Sequence, residues 1–178
     1  YLVSEEKIDL CTNVFNIQKP VIDCGNPQDY SLYISIPFCP SRCSYCSFVS
    51  TSIKTAGHLM QGYVDNLCEE IRYTAKKAAE TGLNLKTIYM GGGTPTAITA
   101  TMLEQVMKTV QECFDLSKVL EYTVEAGRPD CTDLEKLQII KKYGATRVSI
   151  NPQTFSDNVL KAIGRNHTHA DFLRCVAD

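Results

Sequence analysis

Three cysteines lie within eight residues of one another, with the spacing C-x3-C-x2-C that joins Cys39, Cys43 and Cys46. They directly follow an apolar, strand-like stretch over residues 32–36. Thiolates this close together on a short loop can converge on one soft metal centre, and such a loop suits an iron–sulfur cluster. Three thiolates would leave one iron of a cubic cluster open to another molecule, whereas a structural zinc site uses four protein ligands.

Two other interpretations of the cysteine run stay open at this point. The thiols could belong to a zinc site that is completed by Cys24 or a histidine, or they could be reduced thiols without a function. Cys11 and Cys24 lie in a weakly periodic stretch and are expected to be ordinary thiols. Cys68 lies beside the apolar face of a predicted helix and is expected in the core.

Composition narrows the class of protein. A chain of 178 residues, 44% of them apolar, is long enough for one domain with a real core. The net charge of −2, without any run of Lys or Arg, argues against nucleic acid or an anionic membrane surface as a partner. No apolar stretch approaches the roughly 18 residues that a membrane span needs, and no signal peptide is visible. Nine cysteines, an odd number, indicate a reducing, cytoplasmic setting.

The elements that must position the cysteines alternate regularly from residue 31 onward. Strands are predicted over 31–36, 85–90, 120–125 and 146–151. Helices are predicted over 58–81, 101–114 and 132–143, and shorter ones over 157–163 and from 170. Residues 1–30, punctuated by Pro20, Gly25 and Pro27, are interpreted as a lead-in segment, and residues 31–178 as the core domain. A chain that starts at Tyr1 and stops within a predicted helix is expected to be a fragment.

Local signals mark where the predicted helices begin and end. The second helix is expected to open with the capping box Thr101–Glu104, and the third with Thr132–Glu135. Gly82 and Gly144 are expected just beyond the ends of the first and third helices, where a left-handed backbone is common.

Strands that alternate with helices predict parallel pairing and right-handed crossovers, and hence an α/β barrel or a doubly wound sheet. Four polar motifs each follow a predicted strand: the cysteine run, residues 91–93 (Gly-Gly-Gly), residues 125–128 (Glu-Ala-Gly-Arg) and residues 151–153 (Asn-Pro-Gln). In a parallel α/β barrel, the carboxyl ends of the strands form the rim at which active sites are built. The sequence therefore places its chemistry at this rim.

Two of these motifs could contact a ligand, although each also has a simpler explanation. Gly91, Gly92 and Gly93 remove side chains where the second strand ends, so a ligand could reach the backbone; the same glycines could merely form a tight turn. Glu125 could accept hydrogen bonds from a ribose, or it could be a solvated carboxylate at a strand end.

The combined motifs resemble those of the radical S-adenosylmethionine (radical SAM) enzymes, through the cysteine run with Tyr45 before its last cysteine and through Gly-Gly-Gly-Thr-Pro-Thr at 91–96. Within this superfamily, Tyr33-x3-Pro37-Phe38-Cys39, Val124-Glu125-Ala126 and Gln153-x11-Arg165 are similar to the oxygen-independent coproporphyrinogen III oxidase (coproporphyrinogen dehydrogenase) group. The resemblance covers residues 31 to about 169. It implies an α/β fold, a partial (β/α) barrel of radical SAM type that is truncated after about four β/α units.

The resemblance also implies two cofactors and the residues that hold them. A [4Fe–4S] cluster would be held by Cys39, Cys43 and Cys46, and its open iron would bind the amino and carboxylate groups of S-adenosylmethionine. Gly92, Gly93 and Thr94 would meet the methionyl end, and Glu125 the ribose. The other residues implied for this pocket are Tyr33, Tyr45, Gln153 and Arg165.

The activity that the resemblance implies is that of a radical SAM oxidoreductase of porphyrin and haem biosynthesis. One electron from a donor protein would cleave the sulfonium, and the 5′-deoxyadenosyl radical would take hydrogen from a propionate of the tetrapyrrole substrate, coproporphyrinogen III. Loss of carbon dioxide would leave the vinyl group of protoporphyrinogen IX. The alternatives are a haem chaperone of the same superfamily, which binds and transfers haem without turnover, and a radical enzyme with an unrelated substrate.

Two departures from the family pattern bear on the substrate: a cysteine of the family is missing, and the chain ends after four strand–helix units, whereas the family's core has six. The best-known dehydrogenases of the family have another cysteine two positions after the third ligand, where this chain has Phe48. Arg128 and Arg147 are candidates to clamp the substrate's carboxylates, although the sequence favours a surface position for both.

Overall fold

A computed structural model describes residues 2–23 and 25–178 of the chain, and its strands are all parallel to their partners. The strands are β1 (Asp29–Ile36), β2 (Phe38–Cys39), β3 (Thr51–Ser52), β4 (Asn84–Gly92), β5 (Glu121–Glu125) and β6 (Arg147–Ser149). The main sheet has the order β1–β4–β5–β6, and β2 pairs with β3 in a small second sheet. The two short strands flank the cysteine run, so the run is a loop anchored at both ends.

Seven α-helices complete the described part of the chain. They are α1 (Glu5–Asp23), α2 (Ile53–Ala56), α3 (Met60–Glu80), α4 (Ala100–Cys113), α5 (Leu134–Lys142), α6 (Asp157–Ala162) and α7 (His169–Ala177). Helices α3, α4 and α5 each connect one strand of the main sheet to the next, which is the β/α alternation predicted from the sequence. The prediction of an α/β fold with a parallel sheet is confirmed. No helix in the described ranges combines the length and apolar character that a membrane crossing requires.

The two faces of the main sheet have different characters, because successive side chains of a strand point to opposite sides. One face is apolar, and it forms a single core with helices α3, α4 and α5. The strand residues in this core are Ile34, Ile36, Ile88, Met90, Tyr122 and Val124. The alternate positions carry polar or aromatic side chains, including Tyr33, Tyr89 and Glu125. The polar motifs at the strand ends are therefore supported by an apolar layer behind them.

The four strands of the main sheet were predicted in the correct order, whereas the two short strands β2 and β3 were not predicted. Strand β4 continues to Gly92 because Gly91 and Gly92 pair with the end of β1, so most of the glycine run belongs to the sheet. Strand β5 begins at Glu121, one residue later than predicted, and Leu120 just before it is 72% exposed. Strand β6 is shorter than predicted, at Arg147–Ser149.

Both predicted capping boxes are wrong by one or two residues. Helix α4 has Thr99 as its N-cap, whose hydroxyl accepts from the Met102 amide at 3.2 Å. In helix α5, Asp133 accepts from the Lys136 amide at 2.9 Å, while Thr132 donates its hydroxyl to the Arg128 carbonyl at 3.0 Å. Thr132, which the local sequence predicted as the cap, therefore makes a tertiary contact with Arg128 instead.

The predicted glycines beyond the helix ends are confirmed, since Gly82 and Gly144 follow helices α3 and α5 with φ of 68° and 85°. The sequence analysis did not predict the capping box that begins the last helix. Thr168 and Asp171 form one there, with both reciprocal bonds present, so α7 begins earlier than expected, at His169.

The first thirty residues contain a long helix that their weak periodicity did not predict. Helix α1 spans Glu5–Asp23 and includes Pro20, so the interpretation of Pro20 as a break is wrong. Its described side chains are exposed, which explains the missing apolar periodicity. Cys24 lies outside the described residues. The division into a lead-in segment (1–30) and a core domain (31–178) stays a prediction.

The cap positions can be tested by a matched pair of substitutions in helix α4. Thr99→Ala removes the N-cap hydroxyl and is expected to lower the free energy of unfolding by about 1 kcal/mol. Thr101→Ala, within the exposed first turn, is expected to change it by less than about 0.5 kcal/mol, because alanine is a good helix former. Urea unfolding followed by circular dichroism measures both; a larger loss for Thr101→Ala would contradict the observed cap.

Candidate functional site

The cysteine loop closes over the carboxyl end of the main sheet. Cys39 and Cys43 are buried, and Cys46 is half-buried. The Sγ atom of Cys39 lies 3.4 Å from the hydroxyl of Thr94, and the amide of Cys46 donates to the Cys43 carbonyl at 3.1 Å. The thiols of Cys39 and Cys43 therefore do not project freely into solvent, because this part of the loop packs on the sheet.

Contacts with distant segments fix the loop in place. The hydroxyl of Ser41 donates to the Gly164 carbonyl at 2.8 Å, and the amide of Ser44 donates to the Ile163 carbonyl at 3.1 Å. Both acceptors lie at the end of helix α6. The segment after β6 therefore helps to hold the metal-ligand candidates, which the local sequence gave no sign of.

Arg128 is the buried charged group beneath this loop, and its predicted surface position is wrong. It is 3% exposed, and its guanidinium forms a two-point ion pair with Asp130, with both N–O distances at 2.9 Å. Burial by itself would lower the pKa of this guanidinium, but the ion pair with Asp130 outweighs it and the pKa is raised. Arg147 does lie at the surface, 3.4 Å from Glu121, as the sequence favoured.

The glycine run allows strand β4 to approach the start of the cysteine loop. A Cβ atom at Gly93 would lie 2.8 Å from the Phe38 carbonyl and 3.0 Å from the Cys39 sulfur. Gly92 has φ of 104°, which disfavours other residues, and a Cβ there would lie 2.7 Å from the Ser35 hydroxyl. The glycines are thus required by backbone packing as well as by any ligand that reaches them.

Glu125 is held by a neighbouring tyrosine on the polar face of the sheet. The hydroxyl of Tyr89 donates to Glu125 Oε1 at 2.5 Å, and the Tyr89 ring stacks on Tyr33 with centroids 5.9 Å apart. The hydrogen bond to Glu125, with a smaller contribution from burial, raises the pKa of Tyr89 to about 12. Glu125 is therefore oriented, which a freely solvated carboxylate would not be; Tyr89 was not predicted as part of the site.

The far side of the site is formed by residues after β6. Arg165 donates from Nη1 to the Gly127 carbonyl at 2.8 Å and from Nη2 to the hydroxyl of Tyr45 at 3.1 Å. Its buried Nε has no hydrogen-bond partner among the described residues. Gln153 has φ of 62° and is the one non-glycine residue in the described ranges with positive φ. Such strain is typical of ligand-binding segments.

One cavity, of about 230 Å³, brings most of the predicted site residues together. Its wall contains ten of them: Cys39, Cys43, Cys46, Tyr45, Gly92, Gly93, Thr94, Glu125, Gln153 and Arg165. Tyr33 is not in the wall; it stacks behind Tyr89 and is 54% exposed. The wall also contains Arg42, Arg128, Ser149 and Phe48. The cavity is therefore built from the ends of β4, β5 and β6 together with the cysteine loop.

The donor chemistry of this wall fits the iron–sulfur interpretation better than the zinc one. A structural zinc ion needs four protein ligands, whereas the cavity wall contains three cysteines. No histidine lines the cavity. Three thiols in the wall of one cavity suit a larger cluster with one open position.

Comparison with known proteins agrees with this geometry. Residues 33–178 match the Radical SAM superfamily. The chain is 39% identical over 171 residues to the oxygen-independent coproporphyrinogen-III oxidase-like protein HemZ of Bacillus subtilis (strain 168), covering 94% of this chain and 34% of that protein. It is 37% identical over 139 residues to the heme chaperone HemW of Lactococcus lactis, covering 78% and 34%.

Among solved structures, the fold resembles coproporphyrinogen III oxidase (HemN) from Escherichia coli, a radical SAM enzyme. The TM-score is 0.72 with 26% identity, over 83% of this chain and 33% of that one. The chain spans about a third of the length of all three relatives.

The link between Tyr89 and Glu125 can be tested directly. Glu125→Gln removes the negative charge that stabilises the protonated phenol, so the pKa of Tyr89 is expected to fall from about 12 toward its ordinary value of 10. Nuclear magnetic resonance titration with ring-labelled tyrosine measures the change, and Tyr89→Phe identifies the signal. An unchanged pKa in Glu125→Gln would show that the two side chains do not interact.

Proposed function

Because the chain belongs to the coproporphyrinogen oxidase-like group of the radical SAM superfamily, we propose that it is the cofactor-binding part of an oxygen-independent coproporphyrinogen dehydrogenase. The whole protein would convert coproporphyrinogen III to protoporphyrinogen IX. Membership of the superfamily implies a [4Fe–4S] cluster and S-adenosylmethionine. The observation that carries the proposal is the single cavity shared by the cysteine loop, the end of β4, Glu125 and Arg165.

Each side of this cavity suits one part of the cofactor pair. Cys39, Cys43 and Cys46 would hold the cluster, with Thr94 and Arg128 close to two of the sulfurs. The backbone of Gly92 and Gly93 lies in the wall without side chains, so its amides and carbonyls can pair with the amino and carboxylate groups of a methionine moiety.

The nucleoside side depends on side chains that are already oriented. Glu125 accepts from Tyr89 through Oε1, which leaves Oε2 for a ribose hydroxyl. Arg165 holds Tyr45 and the β5 end together across the cavity. Tyr33 would act indirectly, by stacking on the tyrosine that orients Glu125.

When bound, the two groups supply one-electron cleavage of the sulfonium and, with it, the means to remove hydrogen from a substrate carbon. The chain's own residues position the cofactor beside the buried thiols, and they limit the access of water and oxygen. Arg128 cannot serve as a substrate clamp, because its guanidinium is committed to Asp130 and to the cysteine loop. A one-electron donor protein and a tetrapyrrole substrate remain the proposed partners, and a cytoplasmic setting remains a prediction.

A haem chaperone is the second candidate. Phe48, an exposed aromatic side chain, lines the cavity two positions after Cys46, where the best-known dehydrogenases have a cysteine. A relative of comparable identity is named as a heme chaperone. The dehydrogenase stands first because the relative at 39% identity over 94% of this chain is named oxidase-like, and because the fold resembles coproporphyrinogen III oxidase. A radical enzyme with an unrelated substrate is the third candidate.

The test is an anaerobic assay of the full-length protein with a reductant, S-adenosylmethionine and coproporphyrinogen III. We expect 5′-deoxyadenosine and protoporphyrinogen IX to accumulate together. Cys43→Ala should reduce both to background because one cluster ligand is lost, while Cys113→Ser, outside the cavity wall, should leave both unchanged. Activity retained in Cys43→Ala would contradict the assignment of the three thiols.

The same preparations separate the alternatives. Haem bound tightly without substrate-dependent cleavage of S-adenosylmethionine would favour the chaperone. Cleavage that coproporphyrinogen does not stimulate, with no haem binding, would favour an unrelated substrate. Metal analysis of anaerobically purified protein is expected to find iron and sulfide; zinc alone would remove every radical interpretation.

A further inference from the structure

The geometry points to Arg128 as a positioning residue that fixes the cysteine loop and raises the reduction potential of the cluster bound there. This inference rests on the proposed function, since it concerns the cluster that the three thiols would hold. The sequence offered Arg128 only as a candidate substrate clamp, which its contacts exclude, and the family match assigns it no role.

The guanidinium contacts the loop at three atoms. Nη2 donates to the Ser41 hydroxyl at 2.9 Å, and Nη1 donates to the Ser41 carbonyl at 3.2 Å. Nη1 also lies 3.7 Å from the sulfur of Cys43, within donor distance for sulfur. Arg128 therefore contacts the segment between the first two cysteines as well as one of the thiols themselves.

The other side of the guanidinium is held by Asp130. Its carboxylate oxygens accept hydrogen bonds from Nε and Nη2, so Nη1 is the nitrogen directed toward Cys43. The arginine side chain is 3% exposed and the aspartate side chain 14%, so water contributes little to the position of either group. A planar guanidinium with both edges bonded has little freedom to turn away from the sulfur.

A donor fixed beside a cluster sulfur affects the cluster's reduction. Hydrogen bonds to the sulfurs and the local charge are among the factors that set the potential of an iron–sulfur cluster. Reduction adds one electron, supplied by the donor protein, and so one negative charge. A nearby N–H donor and positive charge stabilise that reduced state and make the potential less negative.

The experiment compares full-length wild-type protein with Arg128→Gln, Arg128→Lys and, as a charge-matched control, Arg72→Gln on the outer face of helix α3. Potentiometric titration followed by electron paramagnetic resonance gives the midpoint potential. For Arg128→Gln we expect reduction to be about tenfold less favourable, a shift of about 59 mV to more negative potential for a one-electron couple. Arg72→Gln should match the wild type.

Hydrogen exchange of cluster-free protein tests the positioning role without the cofactor. Amides over residues 41–46 should exchange faster in Arg128→Gln, and no faster in Arg72→Gln. Should Arg128→Gln fail to fold, Arg128→Lys decides both points: we expect faster exchange of the loop and a smaller negative shift, because the charge stays but the donor fork is lost.

The outcomes separate this inference from the proposed function. Wild-type exchange and wild-type potential in a folded Arg128 variant would overturn the inference, whatever the protein's substrate. Faster exchange with an unchanged potential would overturn the redox role and reduce Arg128 to a structural contact. A cluster whose potential shifts as expected, in a protein that does not turn over coproporphyrinogen, would support the inference while removing the proposed function.

Discussion

The site depends on the close approach of the end of strand β4 to the chain that leaves β1. No side chain fits between them: a Cβ at Gly92 or Gly93 would lie less than 3.0 Å from atoms of Ser35 or Phe38. Because β1 and β4 are adjacent and parallel, this contact places Cys39 directly beside the backbone of the glycine run. A substitution there would affect the cysteine loop and the exposed backbone at once. The cavity exists because these two strand ends are in van der Waals contact.

The second constraint is the buried ion pair between Arg128 and Asp130, whose contacts connect segments that are far apart in the sequence. The Arg128–Asp130 ion pair is buried, and the desolvation of such pairs often cancels their attraction, so its net contribution to stability is expected to be small. Removing one partner, however, would leave an uncompensated buried charge and cost roughly 3–5 kcal/mol. The pair therefore acts mainly to select one arrangement. The Ser41 hydroxyl accepts a hydrogen bond from Arg128 and donates one to the Gly164 carbonyl. These two bonds link the ion pair and the cysteine loop to the end of helix α6.

The spacing of apolar residues predicted the order of strands and helices. It could do so because successive strands and helices contribute regularly spaced apolar side chains to one core. The predicted site residues also converge, with Tyr33 outside the cavity wall. What failed was decided by contacts distant in sequence. Thr132 is committed to Arg128 and Thr96, so Asp133 caps helix α5. Arg128 meets Ser41, which lies 87 positions earlier, and no local pattern reports that burial. Helix α1 was missed since its described residues lack a buried face.

The two sides of the cavity differ in how firmly they are built, and this has a consequence for binding. The thiol side consists of buried residues, Cys39, Cys43 and Arg128, each bonded to a separate segment. The other side contains exposed Tyr45 and Gln153, the latter in an unfavourable backbone conformation. Strain of this kind persists only where surrounding contacts enforce it, and it can be relieved when a ligand supplies new partners. A cofactor entering the cavity would therefore meet fixed groups at the buried thiols and at Glu125, and an adjustable segment at Gln153.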